Sequence, residues 1–583
     1  MYYDTVRPDP GPDPRKDQSA APSGTAVLDS AHTGDIVGAL GTIGLHDTGR
    51  RGSWGHRLRT LLVIMGPGLI VMVGDNDAGG VATYAQAGQN YGMKLMWTLA
   101  LLVPVLYVNQ EMVVRLGAVS GVGHARLIFE RFGKFWGAFS VGDLFLVNAL
   151  TIVTEFIGVS QALGYFGIPN YVAVPLAAVL LFAVVAGGSF RRWERFLFTL
   201  IAMNVVMFPM ALLAHPKLGT TAQGLIPQFP GGLDSTLLLL IVAIVGTTVA
   251  PWQLFFQQSN VVDKRITPRW IRYERADLWI GIAVVMAGAV AIMATSAFVF
   301  HGTDLAGQFS DASGVADGLR KHGGSTLGAL FAILLLDAAL IGANAVGLAT
   351  TYSLGDTFKK RHSLHWKVSE APLFYVGYAL LIGIAATVTL VSDDHVQGLI
   401  TQGVQALAGV LLPSATVFLV LLCNDRPVLG PWVNSVRQNV VAGVIVWCLV
   451  LLSLALTAAT FFPDLTTTQL ETGFAAGAAL GLIGGILVAL RSRQESRIAA
   501  AEAAARLRAA DRGGTVAPAP LDKAGLKALL ETERMAWRMP ALSTLTRPKF
   551  SPLRKAGLIT LRGYLVVAVV LVIVRIAQLA GGN

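Results

Sequence analysis

Two aspartates lie in the middle of an apolar segment near the start of the chain. Asp75 and Asp77 stand among Gly74, Gly79 and Gly80 in the run GPGLIVMVGDNDAGGVATYAQAG. Each glycine costs about 1 kcal/mol in a helix relative to alanine, and an acid inside a bilayer is costly unless it faces water or a partner. Both penalties together predict that the helix unwinds here and that one of the carboxylates belongs to a binding site.

A second interruption occurs in the apolar run IVAIVGTTVAPWQLFFQQS, where Thr247 and Thr248 precede Pro251. Because proline lacks the amide hydrogen and clashes with the preceding turn, the helix should open there. At each break the first half-helix then ends in carbonyl groups that carry partial negative charge, which we expect around Gly74 and Thr247. With the Asp77 carboxylate, these carbonyls form an all-oxygen ligand set of the kind that hard cations prefer.

A purely structural interpretation also fits the first break, because aspartate is a good helix cap and Asp77 could simply start the second half-helix. That interpretation does not explain the second break. Asp75 is a second candidate acid of the pocket, although it points away from Asp77 if the backbone stays helical. Other polar residues inside apolar segments are either ion-path residues or structural partners; they are Glu111, Glu155, Asp337 and Asn344.

The composition indicates a membrane protein. Of 583 residues, 54% are apolar and only 14% are charged, and the mean hydropathy is +0.59, outside the usual range of soluble domains. The formal charge of +10 comes from short basic loops between apolar segments, so we expect no nucleic-acid partner. Cys423 and Cys448 lie in apolar runs and give neither a disulfide framework nor a zinc spacing.

About thirteen segments are apolar and long enough to cross a bilayer core of ~30 Å. They lie near 61–88, 93–116, 136–165, 170–189, 195–215, 235–259, 277–300, 326–352, 371–392, 396–423, 437–461, 471–490 and 560–579. The positive-inside rule then places the N-terminus in the cytoplasm of a multi-pass protein in the cell inner membrane. The basic loops that decide this contain Arg126, Arg131 and Lys134; Arg191, Arg192 and Arg195; Lys264, Arg265, Arg269, Arg272 and Arg275; and Lys359, Lys360 and Arg361.

Broken helices in spans 1 and 6, which run in opposite directions, are typical of two inverted five-helix repeats with a substrate site where the repeats meet. No cleavable signal peptide opens the chain. The predicted organisation is a disordered cytoplasmic tail over 1–55, a first repeat (spans 1–5) over 56–225, a second repeat (spans 6–10) over 226–425, spans 11 and 12 over 426–490, a basic amphipathic cytoplasmic linker over 491–558, and a last span over 559–583.

At the two breaks the sequence resembles the NRAMP family of divalent-metal transporters, whose first and sixth spans carry the motifs DPGN and MPHN. The resemblance covers roughly residues 60 to 460. Alignment on Ala82, Thr83, Gln86, Ala87 and Gly88 places Asp77, Ala78, Gly79 and Gly80 over DPGN, and Ala250, Pro251, Trp252 and Gln253 over MPHN. Further matches are Arg115, Leu116 and Gly117 at the end of span 2, and Glu155, Phe156, Ile157 and Gly158, which are similar to the family's EVIG.

The resemblance implies an all-α polytopic membrane protein with a leucine-transporter-like fold, in which two inverted five-helix repeats are followed by additional C-terminal spans. It also implies a site. A tenth-span glutamine that lines the family's site corresponds to Gln405. The implied metal-binding residues are therefore Asp77, Gly74, Thr247, Ala250 and Gln405, with Gly80, Ala78, Trp252 and Gln253 lining the pocket.

Two motif residues differ from the family pattern. Members that carry manganese or iron bind the ion with the Asp, Asn and Met of the motifs, but Gly80 and Ala250 replace the Asn and Met here. Because a thioether favours transition metals over hard cations, its loss favours Mg²⁺, which is usually held by one or two carboxylates and several retained waters. The pattern resembles the NRAMP-related magnesium transporter branch.

The family's proton route is also altered. Its sixth-span histidines correspond to Trp252 and Gln257, its third-span acid corresponds to Ile152, and the paired arginines of its ninth span are absent from YVGYALLIGIAA. We therefore expect inward transport that is uncoupled from protons. The membrane potential would drive it, since 100 mV is worth ~2.3 kcal/mol per charge and twice that for a divalent ion.

Two other functions remain open. One is a proton-coupled Mn²⁺ or Fe²⁺ importer, as in most of the family, and the other is a sodium-coupled symporter of an organic solute on the same fold. An enzyme is not expected, because the chain contains no HExxH, GxSxG or Walker motif. The expected partners are the transported divalent cation, Mg²⁺ with Mn²⁺ as a further substrate, and the lipid bilayer. No cofactor is expected, and the oligomeric state is left open.

Overall fold

The computed structural model describes residues 29–47, 49–462, 465–486, 531–532 and 534–548, together with individual positions between 555 and 570. Most of the expected 491–558 linker and of the expected span near 560–579 lies outside the described residues. So does the first part of the expected tail, residues 1–28.

The described part of the chain is built almost entirely from helices. In chain order they are α1 Trp54–Ile64, α2 Pro67–Val73, α3 Ala78–Tyr91, α4 Met96–Ser120, α5 His124–Phe132, α6 Lys134–Tyr165, α7 Asn170–Ala186, α8 Phe190–Met203, α9 Met207–Leu213, α10 Leu218–Gln223, α11 Ser235–Thr248, α12 Pro251–Asp263, α13 Ile271–Val299, α14 Ala312–Gly323, α15 Ser325–Phe358, α16 Pro372–Val391, α17 Asp394–Cys423, α18 Arg426–Leu429 and α19 Val436–Phe461. Residues 467–486 are also helical. Short 3₁₀ turns lie at Ser30–His32, Gly92–Leu95, Asn204–Val206, Pro268–Trp270, Gly430–Trp432 and Leu542–Thr544.

The number of spans in the described residues differs from the thirteen expected. Nine helical stretches are long and apolar enough to cross a membrane, or ten if the bent pair α1 and α2 is one span. One of the nine, Ala78–Ser120, has 43 residues, which at 1.5 Å per residue is about twice the bilayer core. The 3₁₀ turn at Gly92–Leu95 divides it, so it accounts for two expected spans. Helix α7 is apolar but has only 17 residues.

Both interruptions expected from the sequence are present. The first span stops at Val73 and resumes at Ala78, and the sixth stops at Thr248 and resumes at Pro251. A third break was not expected: α1 and α2 meet at an angle of 56°. Gly66 has a φ of 152° there and precedes Pro67, the first residue of α2. This φ is strained for an L side chain, so the bend depends on glycine.

Close backbone contact between helices positions the sixth span. A Cβ added to Gly246 of α11 would lie 2.8 Å from the Cα of Gly409 on α17 and would also overlap the Gln405 carbonyl. Small residues allow such approach between membrane helices, where packing rather than the hydrophobic effect drives association. Helix α17 is thereby held directly against the second break.

The expectation of a disordered tail is wrong for residues 29–47. Strands β1 Ile36–Gly38 and β2 Gly41–Ile43 form an antiparallel hairpin in which Ile36 pairs with Ile43, and both isoleucines are buried. Arginines of the helical bundle donate to carbonyl groups of this segment: Arg191 to Gly38, Arg195 to Ala39 and Arg265 to Ala31. Composition did not predict this order, because the stabilising partners come from distant helices.

A buried ion pair fastens the hairpin to the helices. Lys264 donates to Glu194 at 2.6 Å, and both side chains are fully buried. Glu194 also accepts the amide hydrogen of Ala39 in the hairpin, while Lys264 donates to the carbonyl of Met65 at 2.7 Å. The pair therefore joins α8, the end of α12, the end of α1 and the hairpin.

Glu194→Ala should lower stability markedly, because the Lys264 ammonium would remain buried without its charged partner. Breaking one side of a buried pair costs about 3–5 kcal/mol. The thermal unfolding midpoint of the purified protein in detergent measures the effect. Glu130→Ala is a matched control, since Glu130 pairs with Arg126 at 3.0 Å and with Lys359 at 3.3 Å in a partly exposed position and such pairs contribute about 0–1 kcal/mol each. Equal midpoints for the two variants would contradict a stabilising role for the buried pair.

Candidate functional site

Asp77 lies at the start of the second half of span 1. It is the N-cap of α3, and its Oδ1 accepts the amide hydrogen of Gly80 at 2.7 Å. The side chain is 2% exposed and lies beside the Thr247 hydroxyl of the second break. The capping interpretation is thus right that Asp77 caps α3. The cap uses Oδ1, and the same carboxylate also lies beside the Thr247 side chain of the other broken helix.

The carbonyl groups of Gly74 and Thr247 have lost their normal helical partners, as expected. The partner of the Gly74 carbonyl would be the amide of Ala78, which instead donates to Glu155 Oε2 at 3.0 Å. The partner of the Thr247 carbonyl would be residue 251, a proline without an amide hydrogen. Each break therefore carries partial negative charge at the end of its first half-helix.

Gln405 of α17 reaches the first break. Its Nε2 would be the atom nearest to a Cβ added at Gly79, so the amide lies directly against the glycine backbone. Gln405 is 2% exposed, and its Nε2 has no hydrogen-bond partner among the described residues. The Thr247 Oγ1 is buried without a partner in the same way. Each break thus has a buried polar side-chain atom with no hydrogen-bond partner among the described residues; the amide nitrogen can donate to a water molecule but cannot itself bind a cation.

Asp75 is also part of this cluster, contrary to the expectation for a continuous helix. The backbone is not helical between Val73 and Ala78, and Asp75 Oδ1 accepts a hydrogen bond from Gln253 of α12. Gln253 Oε1 in turn accepts from Gln110 of α4 at 2.8 Å. The Asp75 Oδ2 is buried with no partner among the described residues. The site therefore contains a second carboxylate and is not built on Asp77 alone.

Three of the other expected site residues pack against the broken backbone. The ring of Trp252 would lie 3.1 Å from a Cβ on Gly74, so the indole covers the first break. Ala250 is buried and its carbonyl accepts the Gln253 amide hydrogen at 3.2 Å. A Cβ on Gly80 would lie 2.7 Å from the carbonyl oxygen of Asp75. A larger residue at position 80 therefore requires the Gly74–Asp77 segment to shift.

Glu155 and Gly342 complete the wall opposite α12. Glu155 of α6 is fully buried and accepts the Ala78 amide hydrogen. A Cβ on Gly342 of α15 would lie 2.6 Å from Glu155 Oε2 and 2.8 Å from the Asp77 Cβ, so the α15 backbone closes over both acids. The sequence marked Glu155 only as ambiguous, and a single glycine inside an apolar helix gave no signal for Gly342.

Each of the other ambiguous polar residues has a side-chain partner within the described residues. Glu111 pairs with Arg115 at 3.2 Å and with Arg275 at 2.6 Å. Asp337 Oδ2 accepts from Asn204 at 2.5 Å, and Asn344 Oδ1 accepts from the Trp193 indole at 2.6 Å. Another contact that the sequence did not indicate joins the two broken spans directly: the hydroxyl groups of Tyr84 and Thr248 lie 2.8 Å apart.

The electrostatics of the cluster favour a cation. Asp75, Asp77 and Glu155 are buried together, and among the described residues none of them forms an ion pair with Lys, Arg or His. A buried carboxylate is costly unless a cation or hydrogen-bond donor compensates it. No group of three or more His, Cys, Asp or Glu in the described residues is arranged to hold a metal by itself. An ion bound here must therefore also use backbone carbonyl, amide or hydroxyl oxygens.

The site residues are buried, and two small clefts are lined by residues that neighbour them in sequence. One cleft runs along α3 and α17 and is lined by Ala82, Thr83, Gln86, Thr401 and Gln402. The other adjoins the start of α12 and is lined by Ser140, Asp143, Pro251, Phe255 and Ser414. The first contains Ala82 and Thr83, which follow Gly80 on α3, and the second contains Pro251, which follows Ala250.

Residues 68–459 match the family model Nramp, described as natural resistance-associated macrophage protein-like. The chain belongs to this family. It is 28% identical over 408 residues to a divalent metal cation transporter MntH of Ralstonia nicotianae, covering 67% of this chain and 88% of the relative. It is 27% identical over 422 residues to the protein of the same name from Latilactobacillus sakei, covering 68% of this chain and 89% of the relative. Both relatives are named as transporters and not as enzymes.

Solved structures confirm the expected leucine-transporter-like fold. A crystal structure of a single-residue mutant of the Eremococcus coleocola manganese transporter is similar with a TM-score of 0.58 and 20% identity, covering 78% of this chain and 97% of the other. The same transporter in complex with an aromatic bis-isothiourea compound gives a TM-score of 0.57 and 21% identity, covering 76% and 97%. At this identity the likeness concerns the fold alone.

Gly246→Ala should disturb the second break, because its Cβ would overlap backbone atoms of Gln405 and Gly409, which cannot rotate away. Overpacking of this kind costs about 1–3 kcal/mol. The thermal unfolding midpoint in detergent should fall accordingly. Gly142→Ala is the matched control, since nothing lies within 4 Å of its added Cβ and alanine favours a helix. Unchanged stability in Gly246→Ala would show that α11 and α17 are not in tight contact.

Proposed function

We propose that this Nramp-family protein transports divalent metal cations across the membrane, with Mg²⁺ as its main substrate and Mn²⁺ as a further one. The proposal is supported by the position of the buried Asp77 carboxylate at the first break, beside the Thr247 hydroxyl of the second, and by the loss of helical partners at the carbonyl groups of Gly74 and Thr247. The names of the relatives, which are divalent metal cation transporters, support the general activity.

The preference for Mg²⁺ rests on the chemistry of the ligands. Ala250 and Gly80 supply neither a thioether nor an amide at the positions that correspond to the family's Met and Asn, so the remaining ligands are oxygens, which favour hard cations over transition metals. Mg²⁺ usually keeps several of its waters. The unpartnered Thr247 hydroxyl and Gln405 amide can hydrogen-bond such waters, and water-mediated contacts are nearly as favourable as direct ones.

Proton independence rests on the residues along the sixth and ninth spans. Position 252 carries an indole and position 257 an amide, both buried in α12, and α16 contains no arginine. These groups do not titrate near neutral pH. We infer that the membrane potential alone drives a doubly charged ion inward.

A proton-coupled Mn²⁺ importer is the second candidate. The solved structures with the same fold are titled as a manganese transporter, and Glu155 is a protonatable side chain in direct contact with the first break. Asp75 adds another acid. This candidate requires one of these carboxyl groups to release a proton each time an ion passes.

The proposed location in the cell rests on the charges of the loops. The protein is a multi-pass membrane protein, and we place it in the inner membrane with the N-terminus in the cytoplasm on the distribution of arginine and lysine in its loops. The repeats would extend over 56–225 and 226–425, because the broken helices α2–α3 and α11–α12 then open each repeat.

Purified protein in liposomes that contain a magnesium-sensitive dye should take up Mg²⁺ when the interior is negative, without acidification and without any need for a pH gradient. Asp77→Asn should reduce the rate to background, because the amide cannot neutralise a divalent ion in a buried site. The measurement is dye fluorescence with a parallel pH-sensitive dye.

Asp304→Asn serves as the control for this uptake assay, since Asp304 is largely exposed in a loop and pairs with Lys321. Its uptake should equal that of the unchanged protein. Uptake of Mn²⁺ in preference to Mg²⁺, with simultaneous acidification, would favour the proton-coupled candidate. Sodium-dependent entry of an organic solute with no divalent transport would refute both.

Ala250→Met should shift selectivity towards Mn²⁺, because a thioether stabilises transition metals more than Mg²⁺. The quantity to compare is the ratio of Mn²⁺ to Mg²⁺ uptake rates in liposomes, which should rise severalfold. Val249→Met adds the same sulfur one residue away, at another buried position, and should leave the ratio unchanged. An equal rise in both variants would mean that residue 250 does not contact the ion.

A further inference from the structure

Five arginines surround a groove between the beginnings of α1 and α13. The groove has a volume of about 570 Å³ and is formed entirely by described residues. Its charged lining consists of Arg50, Arg51, Arg57, Arg269 and Arg272, and no acidic side chain lines it. The hydrogen bonds and ion pairs of these arginines within the described residues go to Asp47, Gly49 and Arg51 and not to the buried acids of the site.

The arginines are held close together with little compensation. The guanidinium groups of Arg51 and Arg269 lie 5.4 and 4.7 Å from the centre of the same indole ring, that of Trp270. Arg51 pairs with Asp47 at 2.6 Å, and this hydrogen bond lowers the pKa of Asp47, which therefore stays ionised. Among the described residues, this is the one ion pair that any of the five arginines forms.

Two of the arginines have no side-chain hydrogen bond or ion pair within the described residues. Arg50 and Arg272 are exposed, and neither forms a hydrogen bond or ion pair there. Arg57 donates only to a backbone carbonyl, that of Arg51, at 3.0 Å. Guanidinium groups placed around one groove are well suited to phosphate, which they bind through charge-assisted hydrogen bonds.

The remaining wall of the groove is apolar. Trp54, Leu58 and Leu61 recur at the spacing of one helix face on α1, and Ala276 faces them from α13. Trp54 is 77% exposed and Leu58 is 38% exposed. Together with Tyr273, these side chains give the groove a basic end and an apolar, partly aromatic side where two membrane helices begin, which is typical of the membrane interface.

We propose that this groove binds the headgroup of an anionic phospholipid, with the phosphate among the arginines and an acyl chain along Trp54, Leu58 and Leu61. Basic grooves between membrane helices bind such headgroups on the side where anionic lipids are recognised. A free phosphate or a soluble nucleotide would use the arginines but leave the apolar wall uncovered. The amphipathic shape therefore favours the lipid.

A lipid in this position would join a broken helix to an unbroken one. Helix α1 leads through the 56° bend into α2 and then directly into the Gly74–Asp77 break. Helix α13 packs against α2 through Gly281, whose added Cβ would lie 2.8 Å from Met72. The headgroup would thus hold the first half of span 1 against α13. This inference does not depend on which ion the protein carries.

Native mass spectrometry of the full-length protein, purified in a mild detergent and mixed with phosphatidylglycerol or phosphatidylcholine, tests the proposal. The unchanged protein should retain phosphatidylglycerol preferentially. Arg50→Gln with Arg272→Gln should weaken its binding roughly thirtyfold, as expected for the loss of two arginines near an anionic headgroup. Since neither side chain has an internal partner among the described residues, the thermal unfolding midpoint without added lipid should not change.

The matched control is Lys360→Gln with Arg361→Gln, which removes the same charge from another basic loop and should leave retention unchanged. Equal loss in both double variants would overturn the proposal, because the effect would then be one of net charge. Displacement of the bound species by millimolar inorganic phosphate, or equal retention of phosphatidylcholine, would also overturn it. Absence of ion transport with intact lipid selectivity would reject the proposed function and leave this site standing.

Discussion

Inside a bilayer every backbone N–H and C=O group must find a partner within the protein, and the structure departs from this rule at two places that face each other. The carbonyls of Gly74 and Thr247 have no helical partner, in one case because Ala78 donates to Glu155 and in the other because Pro251 has no hydrogen to donate. Carbonyl groups in this state are costly. They persist because packing holds the two breaks together around buried acids.

Three neighbouring helices maintain this arrangement. Helix α6 supplies Glu155 to the first break, α17 places the Gln405 amide on Gly79, and α15 brings Gly342 against both Asp77 and Glu155. Polar side chains between membrane helices act as partners where backbone groups are exposed. Asp75 Oδ2, Thr247 Oγ1 and Gln405 Nε2 remain buried at the two breaks without a partner among the described residues.

The periphery restrains the half-helix that precedes the first break. The ion pair of Glu194 and Lys264 connects the end of α1 to α8, α12 and the hairpin, while the arginine groove lies at the beginning of α1. Helix α1 leads through the bend into α2, and α2 ends directly before the Gly74–Asp77 segment. A movement of α1 would therefore shift this segment. Contacts outside the family-matched residues 68–459 can thus influence the site.

The sequence by itself determined the membrane class, the two broken spans, the family and the place of Asp77 at the first break, because proline, clustered glycines and acids in apolar runs act locally on the helix that contains them. Only the tertiary structure decided that Asp75 turns towards Gln253, that Glu155 caps the break and that residues 29–47 are ordered. Each of these depends on a partner far away in the chain. A local pattern carries no information about such a partner, whose position is fixed by the packing of whole helices.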